Sequence, residues 1–420
     1  MKKIKIGIFG GGERGQALVK EFLYLNCDVV AVCEKRTSLK KTACSLFGAT
    51  CKWYEDFDEF LMQKMDAVLL ANFFHEHTHY AIKCLEKGIH VLCECLPNVT
   101  MAEGIELIKA VENSNAVFML LENYPHMLFN REMRKICKSG KLGDIVFAEG
   151  EYNHPGSLER EAVEYSIKNL TYYPKHWRNY LPRSYYISHA LAPLIYITGG
   201  IPKKVSAFNA YIPEVLDRPS VSKVGDLVSI IITQNDNGSV YRVTGHSSFG
   251  VEENSYRICG KKGQVENLRG MDGKIMLHYN PWDIPENEKK TNCYTPLEES
   301  EDKELIKISG HGGSDFLMVR MFLDCIKGKE KLEPPFDVYT AVTMASVGIL
   351  AHRAALENKV YDIPDFREEK WRKLYENDRL TPFYSDNSKP NIQVCVGNRD
   401  YEPTEEQVKA YYEILGEIDE

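Results

Sequence analysis

The stretch that decides the fold is IKIGIFGGGERG, residues 4–15. Its apolar first half predicts a short buried strand, and the glycines that follow predict a tight turn into a helix. In this pattern the first glycine permits the turn, the second lets the backbone approach a pyrophosphate, and the third lets the helix pack closely on the strand. The alternative is a glycine-rich turn that only packs a helix against a sheet. The residues predicted to contact a nucleotide here are Gly10, Gly12, Glu13, Arg14 and Gly15.

A second apolar run, VVAVC at residues 29–33, ends in Glu34, about 20 residues beyond the glycines. An acid at this distance is placed to hydrogen-bond the ribose hydroxyls of NAD, and it repels the 2′-phosphate of NADP. Lys35 and Arg36 follow at once and offer the alternative of a phosphate-binding pair. The spacing favours NAD as the cofactor.

Length and composition bound the classes of protein to which the chain can belong. With 420 residues, 44% of them hydrophobic, it is long enough for two domains. A formal net charge of −8, with no dense basic run, argues against a nucleic-acid partner. No stretch approaches the roughly 20 apolar residues of a membrane span, and no early segment has the pattern of a signal peptide. We therefore expect a globular cytoplasmic protein with no membrane partner.

The 12 cysteines are expected to be reduced thiols, since disulfides are rare in cytoplasmic proteins. None of them forms the paired C-x-x-C spacing of a structural zinc site. Cys93 and Cys95 are the one close pair. Their alternation on a predicted strand sends both thiols to one face, which favours packing over a metal. His75, His77 and His79 also alternate, and a metal cluster there is the alternative to a nucleotide-contacting segment. No metal site is predicted.

Short apolar runs alternate with amphipathic segments through the first 122 residues, which predicts an α/β domain with a doubly wound parallel sheet of the Rossmann type. The predicted strands are 4–9, 29–33, 67–71, 90–93 and 116–121. We place an NAD-binding domain at 1–122, a second, α+β domain at 123–366, and a C-terminal extension at 367–420.

The second domain is predicted to begin with a helix at 129–138 and a strand at 145–152. Four further runs, separated by turns such as NDNG, are typical of an open antiparallel sheet: 205–210, 227–233, 240–247 and 255–259. Helices are predicted at 315–327 and 338–357. The extension ends in a helix-like stretch at 405–418, which either docks on the body or a neighbouring subunit, or is a solvated terminal helix.

Residues 1–366 resemble the Gfo/Idh/MocA oxidoreductase family. Besides the glycine turn, the segments DAV at 66–68, GIHV at 88–91 and CE at 93–94, together with His77, are similar to that family's third nucleotide-contacting region. The resemblance implies nucleotide contacts by His77 and Glu94. It also implies a Rossmann domain joined to an open-faced antiparallel sheet whose surface often mediates homo-oligomerisation.

Two positions depart from the dehydrogenases of that family. The E-K-P signature is replaced by Glu94-Cys95-Leu96, so the lysine that usually assists proton transfer at the sugar hydroxyl is missing. The D-x-x-x-H pattern keeps its histidine as His189, but the position four residues earlier is Tyr185. This chain therefore lacks two catalytic groups that an ordinary sugar dehydrogenase of the family has.

Several segments resemble the NAD-dependent glycoside hydrolases of family 109, which also lack that lysine. The matching segments are LEN at 121–123, EYNH at 151–154, WR at 177–178, YISHALAP at 186–193 and HGGSDF at 311–316. In that family the corresponding side chains line the sugar pocket. The resemblance implies this role for Glu122, Tyr152, His154, Arg178, Tyr186 and His189.

Hydride transfer from a sugar carbon requires a base to accept the hydroxyl proton, and histidine suits this role because it titrates near neutrality. His189 is the predicted base. Once C3 is a ketone, the proton on C2 becomes acidic, and Tyr186 as tyrosinate is the candidate for its removal. Tyr152 and His154 alternate on a predicted strand and so face the same side. If these residues have no role in the reaction, Tyr152 and His154 are half-buried residues of a sheet. Glu122 is then a solvated carboxylate at the end of a strand.

We therefore expect an NAD-dependent enzyme that oxidises a pyranoside transiently at C3 and cleaves the glycoside without net consumption of NAD. Its expected partners are a sugar or glycoside and, through the sheet of the second domain, further copies of itself. The first alternative is a net sugar or cyclitol dehydrogenase that releases NADH. The second is a nucleotide-bound sensor or scaffold with no activity.

Overall fold

The computed structural model describes residues 3–47, 51–212, 218–385 and 388–416. Its N-terminal part is a six-stranded parallel sheet in the order β3-β2-β1-β4-β5-β6. Ligands bind open α/β sheets beyond the carboxyl ends of the strands, where the strand order reverses, and this order reverses between β1 and β4. The strands are β1 (Lys5–Phe9), β2 (Asp28–Cys33), β3 (Lys52–Tyr54), β4 (Ala67–Leu70), β5 (His90–Glu94) and β6 (Phe118–Leu121).

The doubly wound sheet expected from the sequence is confirmed, with one strand added. β4 and β6 are buried at every position, as strands covered by helices on both faces must be, and this is why they appear as apolar runs. β3 was not predicted. It is a three-residue strand at the sheet edge with no fully buried position, so it carries no hydrophobic period.

Helices cover the first sheet and link it to the second. Among the described residues, no helix is long and apolar enough to cross a membrane. The α-helices are α1 (Glu13–Tyr24), α2 (Lys40–Phe47), α3 (Phe57–Leu61), α4 (His77–Glu86), α5 (Met101–Glu112), α6 (Leu128–Lys138), α7 (Arg160–Tyr165), α8 (Ser188–Thr198), α9 (Lys303–Ile308), α10 (Ser314–Ile326), α11 (Val338–Glu357), α12 (Glu369–Tyr375) and α13 (Glu405–Leu415).

The second sheet has nine strands in the order β14-β13-β12-β11-β7-β10-β9-β8-β15. The open antiparallel sheet is confirmed except at its centre, where β7 and β10 pair in parallel. These two strands lie far apart in sequence, so local turn patterns give no sign of that pairing. The strands are β7 (Ile145–Asn153), β8 (Pro202–Tyr211), β9 (Asp226–Asn235), β10 (Val240–Thr244), β11 (Glu253–Gly260), β12 (Gly263–Asn267), β13 (Ile275–Tyr279), β14 (Thr291–Tyr294) and β15 (Tyr361–Asp362).

Helices α8 and α11 hold the two sheets together. α11 packs against α5 of the first domain and β8 of the second, while α8 packs against β7 and α6. α11 is buried on almost every side, which explains its apolar residues all round. This packing brings the first turn of α8 close to the end of β6, where the candidate site lies.

The C-terminal extension docks on the body of the same chain. Tyr411 on α13 is 1% exposed, packs with Val163 and Ile167, and donates its hydroxyl hydrogen bond to the carbonyl of Thr171. The alternative of a solvated terminal helix is therefore wrong. Residues 417 and 418, the end of the predicted helix, lie outside the described residues.

The extension is also tied to the second sheet through Asp226. This buried carboxylate accepts hydrogen bonds from the backbone N–H of Val396 at 2.7 Å and of Gly397 at 2.9 Å. The side chain of Asn209 donates a third at 2.8 Å. These charge-assisted hydrogen bonds hold the segment against the second sheet.

Candidate active site

The glycine turn between β1 and α1 forms an open cradle. Gly10 has a φ of +99°, and a Cβ there would lie 2.3 Å from the carbonyl oxygen of Ala71. A Cβ on Gly15 would lie 2.0 Å from the carbonyl oxygen of Gly10. By contrast, a Cβ on Gly12 would meet no described atom within 4 Å. The N-terminus of α1 therefore faces open space, and its N–H groups and dipole fit a pyrophosphate.

Glu34 is held at the end of β2 beside this cradle. Its Oε2 accepts a hydrogen bond from the backbone N–H of Gly11 at 3.0 Å, and its Oε1 accepts one from that of Arg36 at 2.9 Å. The guanidinium of Arg36 lies over the ring of Tyr172, 4.6 Å from its centroid. Glu34 is thus in place to bind a ribose. The guanidinium of Arg36, the alternative receptor for a phosphate, instead contacts the second domain.

A segment of the second domain, residues 160–176, reaches across the cradle. The hydroxyl of Tyr165 donates a hydrogen bond to the carboxylate of Glu13. His176 packs edge-on against Phe73, with 5.2 Å between ring centroids. Glu13, predicted to contact the nucleotide, therefore also bridges the two domains at the rim of the cradle.

Arg14 and Glu94, both predicted nucleotide contacts, form an ion-paired network with Asp315. Arg14 donates through Nη1 and Nη2 to the two oxygens of Asp315 at 2.8 and 2.9 Å, and its Nε contacts Glu94. Burial alone would raise the pKa of Asp315, but the hydrogen bonds from His311 and Arg14 hold it below its ordinary range. This network joins α1, β5 and α10 beneath the cradle.

His77 has no ring nitrogen facing the cradle. The side chain is 1% exposed, with Nδ1 2.9 Å from the carbonyl oxygen of Leu96 and Nε2 3.3 Å from that of Asn72. Burial lowers the pKa of the ring, which favours its neutral form. Both nitrogens face the backbone of loops that border the site, and the nucleotide contact implied for His77 stays a prediction.

Glu122 and His189 form a buried pair in the cleft between the domains. Glu122 follows β6 and is 0% exposed, and His189 lies in the first turn of α8 with 8% exposed. His189 Nδ1 is 2.8 Å from Glu122 Oε1. Burial alone would raise the pKa of Glu122, but His189 outweighs this effect and the pKa is lowered. The ionised carboxylate favours the Nδ1–H tautomer, which leaves Nε2 as the basic nitrogen.

Three tyrosines surround the ring of His189. Tyr124 stacks on it at a centroid distance of 4.2 Å, and Tyr152 and Tyr186 approach at 4.8 and 5.1 Å. Burial, with Cys95 as the next cause, raises the pKa of Tyr186 well above its ordinary value. Burial also raises the pKa of Tyr152 to about 12. Both are neutral phenols at neutral pH, so the tyrosinate expected for Tyr186 is not the resting form.

His154 lies at the mouth of the same cleft. Its side chain is half exposed, with Nδ1 2.9 Å from Glu252 Oε1. Its ring stacks on Tyr152 with 5.8 Å between centroids and 9° between planes. The two side chains therefore face the same side of β7, as their alternation on the strand predicts.

Arg178 lies exposed at the edge of the cleft. Its guanidinium is 4.3 Å from the centroid of the Trp177 ring. Its positive charge acts to lower the pKa of Tyr152 and Tyr186, against the larger effect of burial. This position suits the substrate contact implied for it.

Cys95, at the position of the missing lysine, is 6% exposed and packs in the hydrophobic core as predicted, and it also borders this cleft. β5 ends at Glu94, so the alternation with Cys93 no longer sets its direction. The Sγ of Cys95, an oxygen of Glu122 and a nitrogen of His189 all lie within 4.8 Å of one another. Across the ranges that the structure describes, this is the one such group, and the alternating histidines at 75–79 do not form another.

No sequence pattern pointed to His246, which belongs to the same pocket. Its ring centroid is 5.8 Å from that of Tyr152 and 5.9 Å from that of Tyr186. Arg183 Nη1 donates a hydrogen bond to its Nδ1 at 2.9 Å. Burial, followed by the charge of Arg183, lowers its pKa well below the ordinary value. It lies just past β10 inside a run that predicted only a strand.

Two family models match this chain. Residues 4–122 match the model of the Gfo/Idh/MocA oxidoreductase family, described as its NAD-binding Rossmann fold. Residues 219–373 match the C-terminal domain of glycosyl hydrolase 109. The first match covers the cradle and Glu34, and the second covers most of the nine-stranded sheet together with α10 and α11.

Relatives that align over most of the chain also carry the family 109 name. The chain is 22% identical to a glycosyl hydrolase family 109 protein of Stenotrophomonas maltophilia, over 88% of this chain and 90% of that one. It is 23% identical to a family 109 protein of Phocaeicola vulgatus, over 88% of this chain and 85% of that one.

The fold is similar to those of two sugar or cyclitol dehydrogenases. Levoglucosan dehydrogenase, solved with NADH and L-sorbose, has a TM-score of 0.71 at 17% identity, over 87% of this chain and all of that one. The myo-inositol 2-dehydrogenase of Lactobacillus plantarum has a TM-score of 0.63 at 15% identity, over 86% of this chain and all of that one. One chain therefore joins a segment that matches the NAD-binding Rossmann fold of the Gfo/Idh/MocA oxidoreductase family, at residues 4–122, to one that matches the C-terminal domain of glycosyl hydrolase 109, at residues 219–373.

Proposed function

We propose that the protein oxidises a pyranoside at C3 and cleaves its glycosidic bond by elimination and hydration, with no net use of NAD. The observation that carries this proposal is the presence of two carboxylate-linked histidines on either side of Tyr152. His189 pairs with Glu122 in the depth of the cleft, and His154 pairs with Glu252 at its mouth. Oxidation alone needs one proton acceptor, whereas cleavage by this route needs a second for C2. The family 109 names of the relatives agree with it.

His189 acts at the C3 hydroxyl. Its Nε2 accepts the hydroxyl proton, and the ionised carboxylate of Glu122 stabilises the imidazolium that forms. Bound NAD would supply the hydride acceptor for the oxidation at C3 and the hydride donor for the final reduction. Tyr124 covers one face of the imidazole and excludes water from it, so the charge of Glu122 acts in a low-dielectric site. His189 then returns its proton to the C3 oxygen.

His154 acts at C2. It accepts the C2 proton that the C3 ketone has made acidic, the C1–O bond breaks, and the aglycone leaves with the electron pair of that bond. Tyr186, a neutral phenol, protonates the departing oxygen. Water then adds to C1, its proton restores Tyr186, and His154 returns its proton to C2. The sum of these steps is glycoside plus water giving free sugar plus aglycone.

The experiment that tests this proposal separates the two histidines. The protein is incubated with NAD, a panel of nitrophenyl glycosides and the free sugars in D2O, while nitrophenol, NADH and deuterium at C2 are followed. We expect His154→Asn to keep NADH formation but lose aglycone release and C2 deuteration. His189→Ala should lose all three. His278→Asn, on β13 away from the cleft, is the matched control and should behave as wild type.

Two results would contradict the assignment. Aglycone release that survives in His154→Asn would remove that residue from the C2 step. NADH that accumulates from a free sugar, with no aglycone released from any glycoside by wild-type protein, would make the protein a net dehydrogenase.

We also propose that the chain assembles with copies of itself through the outer face of the second sheet. Phe208 on β8 is 71% exposed and Ile232 on the adjacent β9 is 37% exposed. Apolar side chains grouped on an open sheet face are typical of a surface that another protein covers. Light scattering should give a mass above that of one chain, and Phe208→Asp should lower it. A single-chain mass for the wild type would contradict the proposal.

A further inference from the structure

Three residues with different metal-ligating atoms converge in the cleft. The Sγ of Cys95, a carboxylate oxygen of Glu122 and a nitrogen of His189 lie within 4.8 Å of one another, and all three side chains are buried. Thiolate, carboxylate and imidazole together form a ligand set for zinc. Magnesium and calcium instead require a shell of oxygen ligands, so this set excludes them.

The fold brings the three together from distant parts of the chain. Glu94 of β5 pairs with Leu121 of β6, so the residue that follows each of them leaves the sheet side by side. These two residues are Cys95 and Glu122. His189 enters from the first turn of α8 in the second domain. The three ligands are therefore held by rigid elements and not by a mobile loop.

One ligand atom in this cluster lacks a partner. Glu122 Oε1 lies 2.8 Å from His189 Nδ1 and 3.3 Å from the backbone N–H of Tyr124. Glu122 Oε2 is buried and accepts no hydrogen bond of good geometry from the described residues, and the nearby Ser188 side chain only helps His189 to lower the pKa of this carboxylate. A buried carboxylate oxygen without a partner is costly, and a bound cation removes that cost. This unpartnered oxygen is the second observation, independent of the residue types, that points to a ligand.

The dimensions suit a small ion after a modest adjustment. A tetrahedral zinc site with its usual bond lengths places neighbouring sulfur and nitrogen ligands about 3.5 Å apart. The ligand atoms lie within 4.8 Å of one another, so shifts of about 1 Å or less would bring them to that distance. Three protein ligands leave a fourth position open toward the cleft.

We propose that Cys95, Glu122 and His189 form a binding site for a thiophilic divalent cation of the Zn²⁺ class, and that the bound cation inhibits the enzyme. A His189 that ligates the ion no longer accepts the hydroxyl proton. The site therefore puts proton transfer under the control of available zinc. The binding step itself does not depend on the proposed function, since it needs neither substrate nor NAD.

The direct test uses Co²⁺ as a spectroscopic probe of the metal-free protein. We expect one equivalent of Co²⁺ to produce the thiolate-to-cobalt charge-transfer band in the near ultraviolet. Cys95→Ser should abolish this band, and His189→Ala should raise the Co²⁺ dissociation constant about tenfold or more. Cys293→Ser, which removes an exposed thiol on β14, is the matched control and should keep the band. Thermal melting of each variant confirms that it is folded.

Absence of the band in wild-type protein, or its persistence in Cys95→Ser, would overturn the proposal. The inhibitory effect is tested separately, with glycoside turnover measured in a chelator and after stoichiometric Zn²⁺. Turnover that falls on addition of Zn²⁺ and returns with the chelator supports inhibition. Turnover that requires Zn²⁺ overturns it. A chelated protein that binds cobalt but cleaves no glycoside leaves the metal site standing and refutes the proposed function instead.

Discussion

Replacing Glu122 by glutamine should slow sugar oxidation by about a thousandfold while the protein stays folded. The change keeps the shape of the side chain but removes the charge that faces the imidazole across 2.8 Å. Two unit charges with centres about 4 Å apart attract by about 4 kcal/mol at the effective dielectric of protein sites. This attraction is gained when His189 becomes an imidazolium, so its loss raises the barrier by that amount. At about 1.4 kcal/mol per tenfold, the rate falls about 10³-fold.

The assay is the rate of NADH formation and aglycone release by the Glu122→Gln variant, at saturating NAD and in the presence of a chelator. NAD affinity should not change, because the cradle lies on β1, α1 and β2. Glu103→Gln is the matched control, because Glu103 is a half-buried carboxylate in the capping box of α5 and a glutamine there also caps the helix. Its rate should equal that of wild type. A rate for Glu122→Gln within about tenfold of wild type would refute the role of the pair.

Three further perturbations test the cradle, the extension and the buried histidines. Gly15→Ala places a Cβ 2.0 Å from a backbone oxygen of the turn, so NAD affinity measured by calorimetry should fall about tenfold or more, and an unchanged affinity would contradict the cradle. Asp226→Ala leaves two backbone N–H groups of the extension unpaired, which should cost about 3 kcal/mol in urea unfolding and expose residues 390–400 to limited proteolysis, unlike a change at the exposed Asp272. Burial lowers the pKa of His126 to about 3 and of His352 to about 4. Because the unfolded state takes up these protons first, the stability present above about pH 6.5 should be lost as the pH falls, by about 2 kcal/mol per histidine at pH 5, and equal unfolding midpoints at pH 7.5 and pH 5 would contradict this.

Much of the site could be predicted residue by residue, but not its pairing. Glu122 and His189 are each predicted as pocket residues through the resemblance to family 109, but nothing in that resemblance joins them. They lie 67 positions apart, and only the packing of α8 against the first domain joins them. The partner of His154 is Glu252, 98 positions away on a turn with no pattern of its own. Such long-range contacts leave no periodic trace in a single sequence.

The same limit explains the correction at Tyr186. Its position three residues before His189 and the resemblance to family 109 predict a tyrosinate base, yet its pKa depends on burial by elements from both domains. Cys95 packs in the core as predicted, but its place beside Glu122 depends on where β5 ends. Strand ends are set by where pairing stops, and β5 stops with β6.

The sequence by itself determined the nucleotide cradle and both sheet architectures in outline. Gly10, Gly15 and Glu34 act through the backbone of one βαβ unit, so their meaning is local and can be read from spacing. The tertiary structure alone decided the protonation of the tyrosines, the linkage of each histidine to its carboxylate, and the meeting of Cys95 with Glu122 and His189. The physical reason is that desolvation and charge pairing depend on every element around a group, and those elements come from all along the chain.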